Sequence, residues 1–291
     1  MRNSILHILL VLAVPAAAQD LLAELDKQAP QAPEFVAATF KSTRLVNGQT
    51  IETKGRGALE FIFAHRFGPL SSGAYEMWGL DQAYVRLGLE YGITDRLGVG
   101  IGRNSEDKTM DTYLRYKVLR QQVGAGSPVT LTAFGIAGYK FSPRSEDATY
   151  DIQPGDRLSY VTQVLVARKF NSTLSLQLMP SFVHKNAVDA TVEKNNQVAL
   201  GVGGRLKVTR SVALTTEYYY RFDVPDSNPY YNPLGFGIDI ETGGHVFQLV
   251  MTNSRGLTER AFLTETNGDF FAGDISLGFN VTRTFQLKKQ R

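Results

Sequence analysis

The sequence predicts an all-β fold, a closed antiparallel transmembrane barrel of about twelve strands, and three observations predict it. Side chains alternate apolar and polar with a period of two over segments of about ten residues. The connections between those segments alternate between tight and long. Beyond residue 14 no uninterrupted apolar run reaches the roughly 20 residues that a membrane helix needs.

Composition agrees. With 291 residues, 43% hydrophobic and 20% charged, the chain suffices for one large barrel or sandwich. The 31 basic and 28 acidic residues leave a net charge of +3 and are scattered, so no basic stripe is offered to a nucleic acid. Cysteine is absent, which removes disulfides, thiolate metal sites, cysteine nucleophiles and a lipid-modified N-terminal cysteine. Seventeen Phe, 13 Tyr and 27 Gly suit strands and tight turns.

Residues 1–18 read as a signal peptide. Arg2 supplies the positive start, residues 5–14 are apolar, and Ala16 and Ala18 give the small-x-small cleavage pattern. Ten apolar residues are too few for an anchor that spans. Residues 19–54 are expected in the periplasm. There, 20–27 form a short helix and 29–34, with Pro30 and Pro33, an extended linker. Residues 35–54 form a hairpin around Asn47-Gly48, placed at the periplasmic mouth or folded into the lumen. Residues 55–291 form the barrel.

Within the barrel, Leu59, Phe61 and Phe63 oppose Glu60 and Arg66; Val85, Leu87, Leu89 and Tyr91 oppose Gln82, Arg86 and Glu90. Leu114, Tyr116 and Val118 oppose Arg115 and Lys117, and Leu174, Leu176, Leu178 and Phe182 oppose Ser175, Gln177 and Ser181. Val198, Leu200 and Val202 follow, then Leu214, Tyr218 and Tyr220 against Glu217 and Arg221. The last segment sets Ile275, Leu277, Phe279 and Val281 against Asp274, Ser276, Asn280 and Thr282. Leu200 and Leu277 are expected near mid-membrane and Ser276 in water. A soluble sandwich also alternates, but its strands average about five or six residues. These are longer and often end in Tyr or Phe, as an aromatic girdle requires. Strands in lipid must close, because an open edge leaves backbone groups without partners.

Tight junctions fall at 92–95, 171–173, 208–211 and 242–244; long polar ones cover about 68–79, 142–156, 185–195, 223–233 and 253–269. Assigning the long loops to the outside leaves both chain ends in the periplasm and an even strand count.

The stretches 39–67 (Phe-Lys-Ser-Thr-Arg, then Asn-Gly-Gln, then the His-Arg-Phe-Gly that starts at residue 65), 79–102 and 235–253 (with Ile-Glu-Thr-Gly-Gly-His-Val-Phe-Gln), with the closing Gly-Asp-Ile-Ser-Leu-Gly-Phe-Asn, resemble an uncharacterised outer-membrane β-barrel family that carries a domain-of-unknown-function label. The likeness covers most of the mature chain. It implies a barrel and an outer-membrane address, and no catalytic residues or substrate.

Candidate chemistry is sparse. His65, His184 and His245 sit on separate segments, so no metal site is expected, and no cofactor. His245 and Ser254 lie nine residues apart on one strand, roughly 30 Å, too far for a nucleophile and its base. Glu259, Glu265, Asn267 and Asp269 match no calcium-loop spacing and read as a solvated acidic loop. The lumen-lining candidates are Glu60, Arg66, Arg86, Glu90, Arg115, Lys117, Arg205, Glu217, Arg221, Asp239, Glu241 and Asp274. Twelve strands lie between barrels filled by side chains and those with an aqueous channel, so this lining either pairs and rigidifies or borders a narrow passage.

The expected function is a narrow channel or facilitated-diffusion pore for small polar solutes in the outer membrane of a double-membraned bacterium, with membrane lipid as its surroundings. The alternative is a closed structural or docking barrel whose aromatic loops, at 75–78 and 230–231, bind a partner or glycan. An enzyme in a barrel comes third. Oligomeric state is left open.

Overall fold

The computed structural model describes residues 34–124, 126–141 and 152–288. The signal peptide, helix and linker expected within 1–33 lie outside the described residues, as do residues 142–151 of one long loop. The chain divides between Phe35 and Val36, and the unit from Val36 onward carries the whole barrel.

Twelve strands close a ring: β1 (Ala58–Pro69), β2 (Ala83–Gly92), β3 (Leu97–Asn104), β4 (Met110–Leu119), β5 (Thr130–Tyr139), β6 (Leu158–Lys169), β7 (Leu174–Lys185), β8 (Asn196–Lys207), β9 (Val212–Phe222), β10 (Leu234–Thr242), β11 (His245–Thr252) and β12 (Ser276–Gln286). Each pairs antiparallel with its neighbour in sequence, and β12 returns to β1 from Ala58↔Gln286 to Arg66↔Gly278. No edge is left, so every strand has a partner on both sides.

Parity sorts the side chains. Leu178 of β7 stands beside Val202 of β8, which stands beside Tyr218 of β9, and all three face outward and exposed. Their odd-numbered neighbours Gln177 and Glu217 face inward and are buried. In water that outer band would be a large apolar liability; in hydrocarbon it is the solvated face. Pro180, on the outer face of β7, has no N–H to give β6, and the β6–β7 pairing skips from Gln163↔Ser181 to Val166↔Leu178.

Two expectations about depth need correction. Leu277 is the second residue of β12, at the long-loop rim rather than mid-membrane. Ser276 is buried rather than washed by water, because the lumen behind it is filled.

Two segments fill that lumen. The first is a strap, residues 36–54, whose portion from Thr39 to Ile51 is almost wholly buried inside the ring. It reverses through Leu45 and Gly48, where the Leu45 N–H donates to the Gly48 carbonyl at 2.8 Å, and an isolated bridge joins Arg44 to Gln49. Both its ends sit at the tight-turn rim. The Val36 N–H donates to the Gln121 carbonyl in the β4–β5 connection, and Thr53 Oγ1 donates to the Asp95 carbonyl in the β2–β3 turn.

The second is a short helix, α1 (Glu259–Thr264), in the connection between β11 and β12, with all six residues buried. This corrects the reading of 253–269 as a solvated acidic loop: its centre turns into the barrel. The reason is apolar. Phe262 and Leu263 join Tyr113, Phe134, Val161, Leu165, Met179 and Tyr219 from β4–β9, with Phe40, Leu45 and Ile51 of the strap, in one buried cluster. Part of the lumen is therefore a hydrophobic core, and removing that area from water holds strap and helix in place.

Candidate functional site

The rest of the lumen is polar and ionic, and β3 makes room for it. Its inward positions Gly98, Gly100 and Gly102 carry no side chain; a Cβ on Gly102 would lie 2.2 Å from Arg86 Nη2, and one on Gly100 2.1 Å from Tyr113 Cζ. Large side chains from β2 and β4 lean across this groove and pair. Arg86 meets Asp111 at 2.5 Å and Arg115 meets Glu90 at 3.1 Å, all four sealed from water. Toward the tight-turn rim the strap joins in, through Lys54 with Glu60 at 2.6 Å and Glu52 with Lys117 at 3.5 Å. On the opposite wall Arg205 meets Glu241 at 2.5 Å, and Lys41 of the strap reaches the same carboxylate at 3.0 Å. Burying so many charges is tolerable only because each has a partner of opposite sign.

The wall grips the strap largely by its main chain. The Glu217 carboxylate accepts from the N–H groups of Val46, Asn47 and Gly48 at 3.1, 2.7 and 3.0 Å. Gln248 Nε2 donates to the Leu45 carbonyl at 3.0 Å, and both Arg66 and Asn280 donate to that of Val46 at 3.1 and 3.0 Å. Gln177 donates to the Gln49 carbonyl at 2.7 Å and accepts from the Ile51 N–H at 2.9 Å. Gly48 fits because a Cβ there would lie 1.9 Å from the buried Tyr219 hydroxyl.

At the strap's tip the two filling segments meet: Arg44 Nη1 donates to Glu259 Oε1 at 2.7 Å, and Gln49 Nε2 to the same oxygen at 2.6 Å. The far side of α1 faces a vestibule of about 430 Å³ at the long-loop rim, lined by Glu106, Asp107, Lys140, Lys185, Glu193, Arg260 and Glu265 among others. Glu265 is its hub. Lys185 lies 2.9 Å from its carboxylate, Lys140 4.0 Å, and Arg260 bonds it directly. Burial opposes its ionisation, yet the cations Arg260, Lys185 and Lys140 prevail and hold its carboxyl at about 2. Glu106 goes the other way: burial, then neighbouring Asp107, pushes its carboxyl up. A second cavity of about 400 Å³ opens at the tight-turn rim, between Lys41 and Lys54 of the strap and the ends of β10–β12.

Of the residues singled out from sequence, Glu60, Arg66, Arg86, Glu90, Arg115, Arg205, Glu217, Arg221 and Asp239 are buried on the inward face, and Lys117 and Glu241 are half-buried there. Arg221 clamps the end of α1 through the Thr264 carbonyl at 3.3 Å. Asp239 accepts from Gln248 at 2.9 Å. Asp274 stands apart, two residues before β12, accepting from the Ser71 hydroxyl at 2.7 Å in the outer loops. Sequence reasoning did not single out Asp111, Gln248 or a lumenal Glu259. Parity marks the first two, Gln248 between the outward Phe247 and Leu249 and Asp111 between the outward Met110 and Thr112; nothing in the local pattern marks the third.

Among the described residues no cluster of three or more His, Asp and Glu side chains is suited to a metal ion. His65 stacks on Phe279 of the outer face at 5.2 Å between ring centres, His184 bonds Asn196 at 2.7 Å, and His245 and the buried Ser254 lie at opposite ends of β11. Glu259 and Glu265 bind different cations, so the acidic loop does not converge.

Two solved structures are similar to this chain. A porin named KdgM, solved in complex with disordered oligogalacturonate, shares 9% identity at a TM-score of 0.47, covering 78% of this chain and 99% of its own. The COG4313 outer membrane channel from Pseudomonas putida F1 shares 12% at 0.47, covering 82% and 100%. No curated protein matches in sequence. A family model described as a membrane-bound beta barrel domain matches residues 40–285.

Proposed function

The chain belongs to that family of membrane-bound β-barrel domains (DUF5777), and from this premise we propose that it is a narrow conduit for small polar solutes, closed at mid-lumen by its own strap and loop helix. A closed barrel of this class resides in a bacterial outer membrane. One observation carries the reading: the obstruction is not built into the sheet. Among the described residues, no backbone-to-backbone hydrogen bond joins strap positions 39–52 to a strand, and cavities of about 430 and 400 Å³ open at the two rims. Charges along the path are of both signs and several are paired, which favours neutral or zwitterionic solutes over ions of one sign. We assign passage rather than a reaction. We also propose cleavage after Ala18, so that the strap lies near the start of the mature chain.

A second reading has its own support. The apolar cluster that holds Phe40, Leu45 and Ile51 would suit a permanently filled barrel whose exposed Tyr75, Trp78 and Tyr231 dock a partner or glycan. Planar-bilayer recording of the full chain and of Gly48→Val separates the two. A conduit gives rare steps in the first and sustained current in the second; silence from both favours docking.

A further inference from the structure

The strap is bound in a way that says what else the lumen can bind. Seven side chains from seven different strands, Arg66, Arg115, Thr132, Gln177, Glu217, Gln248 and Asn280, place hydrogen bonds on strap main-chain atoms between Arg44 and Glu52. Gln177 is the most telling. Its amide donates to the carbonyl of Gln49 and accepts from the N–H of Ile51, two residues on, which is the pair of bonds a neighbouring β-strand would make. Thr132 Oγ1 then donates to the Ile51 carbonyl at 2.9 Å, and Arg115 Nη1 to that of Glu52 at 2.6 Å. Such contacts read the peptide unit and are indifferent to side-chain identity.

We propose that the lumen is a peptide-recognition site occupied in cis by the strap, and that the solutes of the conduit are short peptides. The inference rests on the conduit reading above. With the strap withdrawn, Glu217 is placed to take a peptide's N–H groups or terminal ammonium, Arg66 and Arg115 its carbonyls or terminal carboxylate, and Gln177 an amide between them. A sugar of similar size satisfies the hydroxyl-accepting groups and leaves the paired donor and acceptor of Gln177 without their geometry.

The test is solute entry into liposomes carrying the full chain with Gly48→Val, which crowds the tip against Tyr219 and Glu217 and substitutes no wall residue. Trialanine is compared with a neutral hexose, the smaller of the two. Faster entry of trialanine is the expected result, and Gln177→Leu in the same background should cut that preference by about thirtyfold, the worth of two hydrogen bonds. Entry in order of size alone overturns the inference and leaves the conduit standing. Exclusion of both solutes overturns the conduit and this inference with it. Leu45→Asn, a strap substitution that puts an amide into the apolar cluster and changes no wall residue, gives the same comparison if Gly48→Val does not fold.

Discussion

Arg44, on a strap that enters from the tight-turn rim, and Glu259, on a helix that enters from the long-loop rim, form an ion pair of 2.7 Å inside the barrel, with side-chain exposures of 7% and 0%. They are 215 residues apart in sequence. The pair is the one direct ionic link between the two filling segments among the described residues, so each depends on the other.

Arg44→Met should destabilise the refolded protein in detergent by about 3–5 kcal/mol, because it leaves a buried carboxylate with only Gln49 as a direct partner. The double variant Arg44→Met, Glu259→Leu should cost less than the sum of the two singles, since the second change removes the stranded charge. Denaturant titration checks both. Additive effects would mean the pair does not couple strap and helix.

Glycine at position 100 is a packing requirement, and at 135 it is not. Gly100→Val should cost at least about 1–3 kcal/mol, since any Cβ collides with the buried Tyr113 ring. Gly135→Ala, on the outer face with nothing within 4 Å of its Cβ, should change stability by less than about 0.5 kcal/mol. Reversal of that order would argue against the inward assignment of β3.

Depth should set the cost of a charge on the lipid face. Leu200→Arg, in the middle of β8, should destabilise by about 2–4 kcal/mol, whereas Leu277→Arg, at the rim end of β12, should cost only about 0–1. Refolding into vesicles at graded denaturant measures the difference. Equal penalties would place the membrane elsewhere along the barrel.

Acid should loosen the outer vestibule. The carboxyl of Glu265 is held at about 2 against an ordinary 4.5, so its stabilising share is fully present above the ordinary value and lost as pH falls from about 4.5 toward 2. Glu106, raised, contributes in the opposite sense: its burial costs nothing in acid and opposes folding as the pH climbs through its range. Protease sensitivity of the long loops between pH 5 and 2 should therefore rise in the parent protein and flatten in Glu265→Gln. A parent profile that is already flat would sink the assignment.

The ring itself was written plainly in the sequence, because a period of two converts directly into an outer and an inner face. Leu178 and Gln177 need only their parity to be placed. What fills the ring was not so legible. β5 and β6 carry Phe134, Val161 and Leu165 inward opposite Ala133 and Val164 outward, so both faces are apolar and the alternation fades. The six residues of α1 are too few to show a helical period, and their burial depends on Tyr219 and the strap, contacts with no local signature. The turn at Asn47-Gly48 was readable, but its depth inside the barrel follows from Glu217, nearly 170 residues away.

Because both ends of the strap are fixed at the same rim, tension applied at Val36 toward the periplasm would not load its bonds together. It would peel them in sequence, from the rim inward to the Glu217 grip on Gly48, as a zipper opens. Extraction would therefore need little force over a long travel, whereas pressure on the tip from outside would have to break the whole set at once.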